Sequence, residues 1–230
     1  NCTKGGKYAL HSALQNVLAK ALNGQNPKAV IVEAHPYATE STRTDISISS
    51  AEKPGEILYY VDTTVTNTQQ KRIPKLKKLT DADNIVCCRD LLLNETVVNN
   101  HIFSATAKKL RKFKGCHDSA CENGRSPSSI VVPFAVDTLG NFCSVAVIFL
   151  KKLAKIKFEK IPGSTEFRDL TASTWVNTTC RDIQTAIIKT CAYNNRSALK
   201  LAFGEEYDKL YPGSIYSPPS YNENFSSAEG

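Results

Sequence analysis

No methionine occurs among the 230 residues, tryptophan occurs once, and no uninterrupted apolar run exceeds the six residues from Val145 to Leu150. A membrane helix needs about 20 such residues, so no transmembrane span and no membrane partner are expected. A basic, then apolar, then small-residue leader is also missing from the N-terminus. The chain reads as a piece cut from a larger polypeptide, or as a processed form. Acid is in short supply, with 22 Asp and Glu against 29 Lys and Arg. The resulting +7 favours a polyanionic partner. The chain is nevertheless 41% hydrophobic, which is enough to bury a core and excludes a disordered polymer.

Eight cysteines include the vicinal Cys87 and Cys88, an arrangement that a disulfide scaffold seldom uses, so a reducing compartment is expected. Five Asn-x-Ser/Thr sequons (Asn1, Asn94, Asn177, Asn195, Asn224) pull toward secretion, although a chain rich in Asn, Ser and Thr generates them by chance. Cys116, His117 and Cys121 invite a zinc reading, but no second ligand pair stands at finger spacing. They are expected to be inert groups in a loop.

Apolar residues at Leu10, Leu14, Val17, Leu18, Ala21 and Leu22 form a helical stripe that stops at Asn23-Gly24. Residues 29–34, 42–49 and 56–66 read as strands, the last two joined into a hairpin by Lys53-Pro54-Gly55. Residues 67–99 are irregular, apart from a short helix near Asp90 to Leu93. A second helix over 101–115 carries Phe103, Ala107, Leu110 and Phe113 on one side and ends at Gly115. A buried strand (128–136), a helix (144–156) and further helical spacing over 173–203 follow. Trp175, Ile183, Ile187 and Leu199 are the core candidates of that last stretch. The expected division is a preceding segment at 1–7, one α/β domain at 8–210 and a Pro- and Ser-rich tail at 211–230.

Two basic clusters stand out, one of Lys71, Arg72, Lys75, Lys77 and Lys78, the other of Lys108, Lys109, Arg111, Lys112 and Lys114. Each reads either as a solvated face or as a track for phosphates. In the hairpin, Asp45 and Asp62 interrupt otherwise apolar or β-branched segments. A buried acid is costly unless paired, so each is expected to hold a cation. Two convergent carboxylates suit a hard divalent ion such as Mg²⁺. The bland alternative is that each caps a turn or pairs with Arg43 or a lysine.

The segments "TRTDISI", "YYVDTTVT", "ATAKKLRKF" and "VVPFAVDTLG", in the order αβββαβ, resemble the PD-(D/E)XK or restriction-like nuclease superfamily. The resemblance is closest to the endonuclease domain at the C-terminal end of non-LTR retrotransposon reverse transcriptases. It covers residues 8–203, and the Cys2 segment resembles the end of the zinc knuckle that precedes that domain. The matching positions are His11; Arg43 and Asp45; Asp62 with Thr64; Lys109 to Lys112 with Phe113; and Pro133, Asp137, Thr138 and Gly140. Thr44 replaces a proline, Thr64 replaces the strand lysine, and Phe113 replaces a tyrosine.

The resemblance implies an αβββαβ core with a mixed sheet flanked by helices, and a Mg²⁺- or Mn²⁺-dependent DNA endonuclease. Asp45, Asp62 and the Thr63 carbonyl would hold the metal. Lys109, or failing that Lys112 or Lys108, would supply the missing lysine. His11, Gln15, Glu33 and Thr64 are accessory candidates; His11 reads equally as a hydrogen-bonded structural residue, and Glu33 as a strand-end charge in solvent. Arg43 and the two basic clusters would follow the backbone of DNA, or of RNA–DNA intermediates, in a nuclear or otherwise intracellular setting. The runner-up is the same fold with a decayed centre, binding nucleic acid or serving a structural role in a larger assembly. A secreted, glycosylated interaction domain is a third reading.

Overall fold

A computed structural model describes residues 4–23, 30–34, 43–49, 57–67, 101–122, 130–204, 206 and 209. In chain order the elements are α1 (Lys4–Asn23), β1 (Val30–Ala34), β2 (Thr44–Ser49), β3 (Ile57–Thr66), α2 (His101–Glu122), β4 (Ile130–Asp137), α3 (Ser144–Phe158) and α4 (Thr165–Phe203). The four strands form one mixed sheet in the order β1-β2-β3-β4. The β1–β2 and β2–β3 pairs are antiparallel, whereas β3 and β4 are parallel. A parallel pair needs a long crossover, and α2 supplies it. Pro133 lies in β4, an edge strand, where its missing N–H costs no sheet hydrogen bond on the open side.

Alternation along β3 sorts its side chains between two layers. Tyr59 and Val61 join the main core with Leu10, Leu14 and Leu18 of α1, Phe149 and Leu150 of α3, and Ile183 and Ile187 of α4. The rings of Tyr59 and Phe149 meet edge to face at 5.3 Å. Asp62, one step out of phase with those residues, is instead met from α2, which packs on β3 and β4. Among the described residues no helix is long and apolar enough to cross a membrane.

Several boundaries differ from the sequence expectation. α1 starts at Lys4, six residues before the first residue of the apolar stripe, Leu10. α2 runs through Gly115 to Glu122. A lone glycine costs a helix only about 1 kcal/mol and ends it only where a left-handed cap follows. Cys116, His117 and Cys121 therefore sit on a helical backbone, not in a loop. α4 begins eight residues earlier than expected, because Ser164 caps it by accepting the Phe167 N–H at 3.2 Å. Leu199 is 44% exposed and is not a core residue, whereas Ile183 and Ile187 are fully buried and Trp175 is half-buried. The 67–99 insertion beyond Asn67, the Lys53-Pro54-Gly55 turn and the 211–230 tail lie outside the described residues.

The β4–α3 junction is tightly organised. Asp137 is buried and accepts the Leu139 and Asn141 N–H groups at 2.9 and 2.8 Å on one oxygen, and the Asn141 amide at 2.8 Å on the other. Gly140 adopts φ +85°, and a Cβ there would stand 2.9 Å from Cγ of Gln184 on α4. Gln184 also donates to the Gly140 carbonyl at 3.1 Å. Gly140→Ala meets both a left-handed backbone and a clash, and should cost about 2–3 kcal/mol. Thermal unfolding should register this as a melting point lower by about 4–12 °C.

Candidate functional site

The β2–β3 register pairs Ile46 with Val61, Ser47 with Tyr60 and Ile48 with Tyr59. Asp45 directly precedes Ile46 and Asp62 directly follows Val61 at the end of this ladder, and the two acids are close enough for the charge of Asp45 to act on Asp62. Both are buried, Asp45 at 8% and Asp62 at 2% exposure. Like charges brought close together are destabilising, and here each carboxylate is gripped by different partners.

Asp62 is met from α2. Lys109 donates from Nζ to its Oδ1 at 2.8 Å, while Oδ2 is buried and has no hydrogen-bond partner among the described residues. The helix phase explains why Lys109 makes this contact. At about 100° per residue, the buried positions Thr106, Leu110 and Phe113 define one face; Lys109 flanks it and Lys108 lies on the far side. Lys108 and Lys112 are exposed, and Lys112 places its ammonium 5.4 Å from the centre of the Phe113 ring. Burial pushes the Asp62 carboxyl above its ordinary value. The charge and hydrogen bond of Lys109, with a smaller effect from Lys112, offset only part of that, and the negative charge of Asp45 adds to the rise.

Asp45 is held from the other side, by α1 and by β3 itself. Its Oδ2 accepts the Thr63 N–H at 2.5 Å and the Thr63 hydroxyl at 2.7 Å, and its Oδ1 lies 3.2 Å from Nε2 of His11. The second imidazole nitrogen lies 3.4 Å from the Thr63 hydroxyl. Burial raises the Asp45 carboxyl, but the bonds from His11 and Thr63, together with the attraction to His11, outweigh it and hold the group below its ordinary value. The bland alternative, that each acid pairs with Arg43 or a lysine, describes the Lys109 contact of Asp62, whereas Asp45 is held by an imidazole, a hydroxyl and a peptide N–H. His11 is hydrogen-bonded to Asp45, a contact that its accessory and its structural reading both allow.

Asp45, Asp62, Lys109, His11 and Thr63 thus form one chain of contacts across β2, β3, α1 and α2. The other candidates are known by their burial alone or are not described. Gln15 and Thr64 are half-buried, and Arg43 is exposed at the start of β2. The side chain of Glu33 and the whole of the Lys71, Arg72, Lys75, Lys77 and Lys78 cluster lie outside the described residues. The hydroxyl and N–H of Thr63 were missed in the sequence reading, which used only its carbonyl. A β-branched hydroxyl directly after the second acid was the available signal.

The donors fit a hard divalent cation in one respect: Oδ2 of Asp62 is a buried acceptor with no partner among the described residues, and it feels the charge of a second carboxylate. The set is small. Among the described residues, no group of three or more His, Cys, Asp or Glu side chains is assembled around a possible metal position. Cys143, Cys180 and Cys191 form no disulfide among the described residues, and Cys143 is spent as the buried cap of α3. The chain matches no family model, no curated protein and no solved structure.

Proposed function

We propose that the chain is a metal-dependent DNA endonuclease module of the restriction-like, PD-(D/E)XK type, related to the endonuclease domains of non-LTR retrotransposons and working within a larger polypeptide. One observation carries the reading. A lysine of the helix after the hairpin reaches an acid of the neighbouring strand at 2.8 Å, while the other oxygen of that acid is buried, has no hydrogen-bond partner among the described residues and feels the charge of a second acid. The element order α-β-β-β-α-β, with the last strand parallel to the third, supports the same topology.

Asp45, Asp62 and the carbonyl of Thr63 would hold Mg²⁺ or Mn²⁺, which supplies Lewis acidity toward the scissile phosphate and a readily deprotonated water. The residues' own contributions follow from their positions. Lys109, 27% exposed beside an almost closed carboxylate, presents its ammonium to an entering phosphate oxygen and offsets charge that builds there in the transition state. Lys108 and Lys112 extend the positive rim along α2, and Arg43 adds charge at the start of β2. Such contacts with the phosphate backbone give affinity that is salt-sensitive and largely independent of sequence.

Supercoiled DNA should be nicked with Mg²⁺ or Mn²⁺ and left intact in EDTA, and Asp62→Ala should bind DNA at low salt without nicking it. A second reading, the same fold acting only as a nucleic-acid-binding or structural module, is favoured by the engagement of both Asp45 oxygens with the protein itself. Salt-sensitive binding by the unmodified chain with no nicking under either ion would establish that reading and overturn the first.

A further inference from the structure

We propose that His11 and Thr63 are positioning residues that fix the roll of the Asp45 carboxylate, and that this clamp makes the acidic pair selective for small octahedral cations, Mg²⁺ or Mn²⁺, over Ca²⁺. The inference rests on reading Asp45 and Asp62 as a cation site. An ionised carboxylate offers about four lone-pair directions. On Asp45, the Thr63 N–H and hydroxyl take two at Oδ2, and the His11 imidazole takes one at Oδ1. One remains.

The hydrogen bond to Thr63 N has a further consequence, because that nitrogen belongs to the peptide joining Asp62 to Thr63. The head of one acid is thereby tied to the backbone that carries the other. Capping that N–H requires only Oδ2. The grip on Oδ1 comes from α1, 34 residues away, through a ring that is 33% exposed. A half-solvated imidazole adds little to burial, but it stops the carboxylate from rotating. The contact between His11 and the Thr63 hydroxyl closes the triangle.

Ca²⁺ collects six to eight oxygens and commonly takes a carboxylate through both of them, whereas Mg²⁺ keeps several waters and uses one oxygen from each of a few ligands. A carboxylate clamped at both oxygens has no free edge to offer Ca²⁺. Releasing Oδ1 restores that edge.

The test measures binding. Mn²⁺ affinity is read from the free-ion electron paramagnetic resonance signal and Ca²⁺ affinity by competition, for the unmodified chain, His11→Ala, His11→Gln and Thr63→Val; thermal unfolding in EDTA reports the fold of each. The unmodified chain should prefer Mn²⁺ over Ca²⁺ by at least about tenfold. His11→Ala and Thr63→Val should each reduce that preference by about tenfold. His11→Gln, which keeps a donor near the Nε2 position, should restore it. Preferences within about twofold of the unmodified chain in both His11→Ala and Thr63→Val overturn the proposal while leaving the cation site standing. If the unmodified chain binds neither ion, the cation site itself falls, and this inference with it.

Discussion

Asp62→Asn is expected to melt about 2–4 °C above the unmodified protein at pH 7 while losing at least about 10³-fold in metal-dependent nicking. The two effects share one cause. Asp62 is buried at 2% exposure, and the burial penalty on its charge is only partly offset by Lys109. An isosteric neutral amide removes that penalty, worth about 1 kcal/mol at a strained functional position, and with it the anionic ligand. Asp45→Asn should act in the opposite direction. It turns one of two engaged acceptor oxygens into an amide that faces donors, at a cost of about 1–3 kcal/mol.

The pH dependence separates the acids further. Asp62, whose folded value is raised, takes up a proton more readily in the folded chain than in the unfolded one. Its destabilising contribution is full at neutral pH and fades as pH falls through the raised folded value toward the ordinary 3.8. The stability advantage of Asp62→Asn should therefore shrink over that window, as thermal unfolding from pH 7 to pH 4 would record. Asp45, whose folded value is lowered, stabilises the fold fully above 3.8 and loses that contribution as pH falls through its folded value. An advantage for Asp62→Asn that persisted unchanged at pH 4 would contradict this account.

Lys109→Met tests the other half of the pair. Removing one partner of a buried ion pair leaves an uncompensated charge, at a cost of about 3 kcal/mol or more. In EDTA the variant should melt well below the unmodified chain. Divalent cation should then rescue it, because a ligand that binds only the folded state raises stability by mass action. The ammonium now sits 2.8 Å from the carboxylate that a cation would share, and unit charges about 4 Å apart near a protein surface interact by about 4 kcal/mol. Without that repulsion Mn²⁺ should bind at least about tenfold more tightly. Nicking should nevertheless fall by about 10²–10⁴-fold, since the charge that meets the phosphate is gone. Calorimetry with Mn²⁺ and a plasmid assay on the same preparation would show both; weaker Mn²⁺ binding by Lys109→Met would overturn the competition argument.

Local patterns were legible in the sequence because they obey periods the chain carries openly. The 3.6-residue spacing from Leu10 to Leu22, the alternation around Ile46 and Ile48, and the apolar run of β4 located three elements and their order. What misled was punctuation. Gly115 reads as a stop but lies inside α2, while the stop-and-start signal at Pro162-Gly163-Ser164, which caps α4, went unused. Asp45 and Asp62 were visible as acids out of place, and Lys109 as one of several lysines. Which lysine reaches Asp62 depends on the phase of α2 over the sheet, set by Thr106, Leu110 and Phe113. The clamp on Asp45 depends on α1 lying over β3, a contact across 52 positions for His11 and Thr63. No local period encodes such a pairing.

The crossover at α2 also imposes an order on assembly. During synthesis the hairpin emerges first, so Asp45 can engage Thr63 at a separation of 18 residues as soon as β2 and β3 meet. Asp62 must wait another 47 residues for its counter-charge, and α2 is fastened down only when β4 closes against β3. Until then the nascent domain carries an exposed acid on a strand edge, which disfavours premature pairing with another chain. The residue that burdens the finished protein protects the unfinished one.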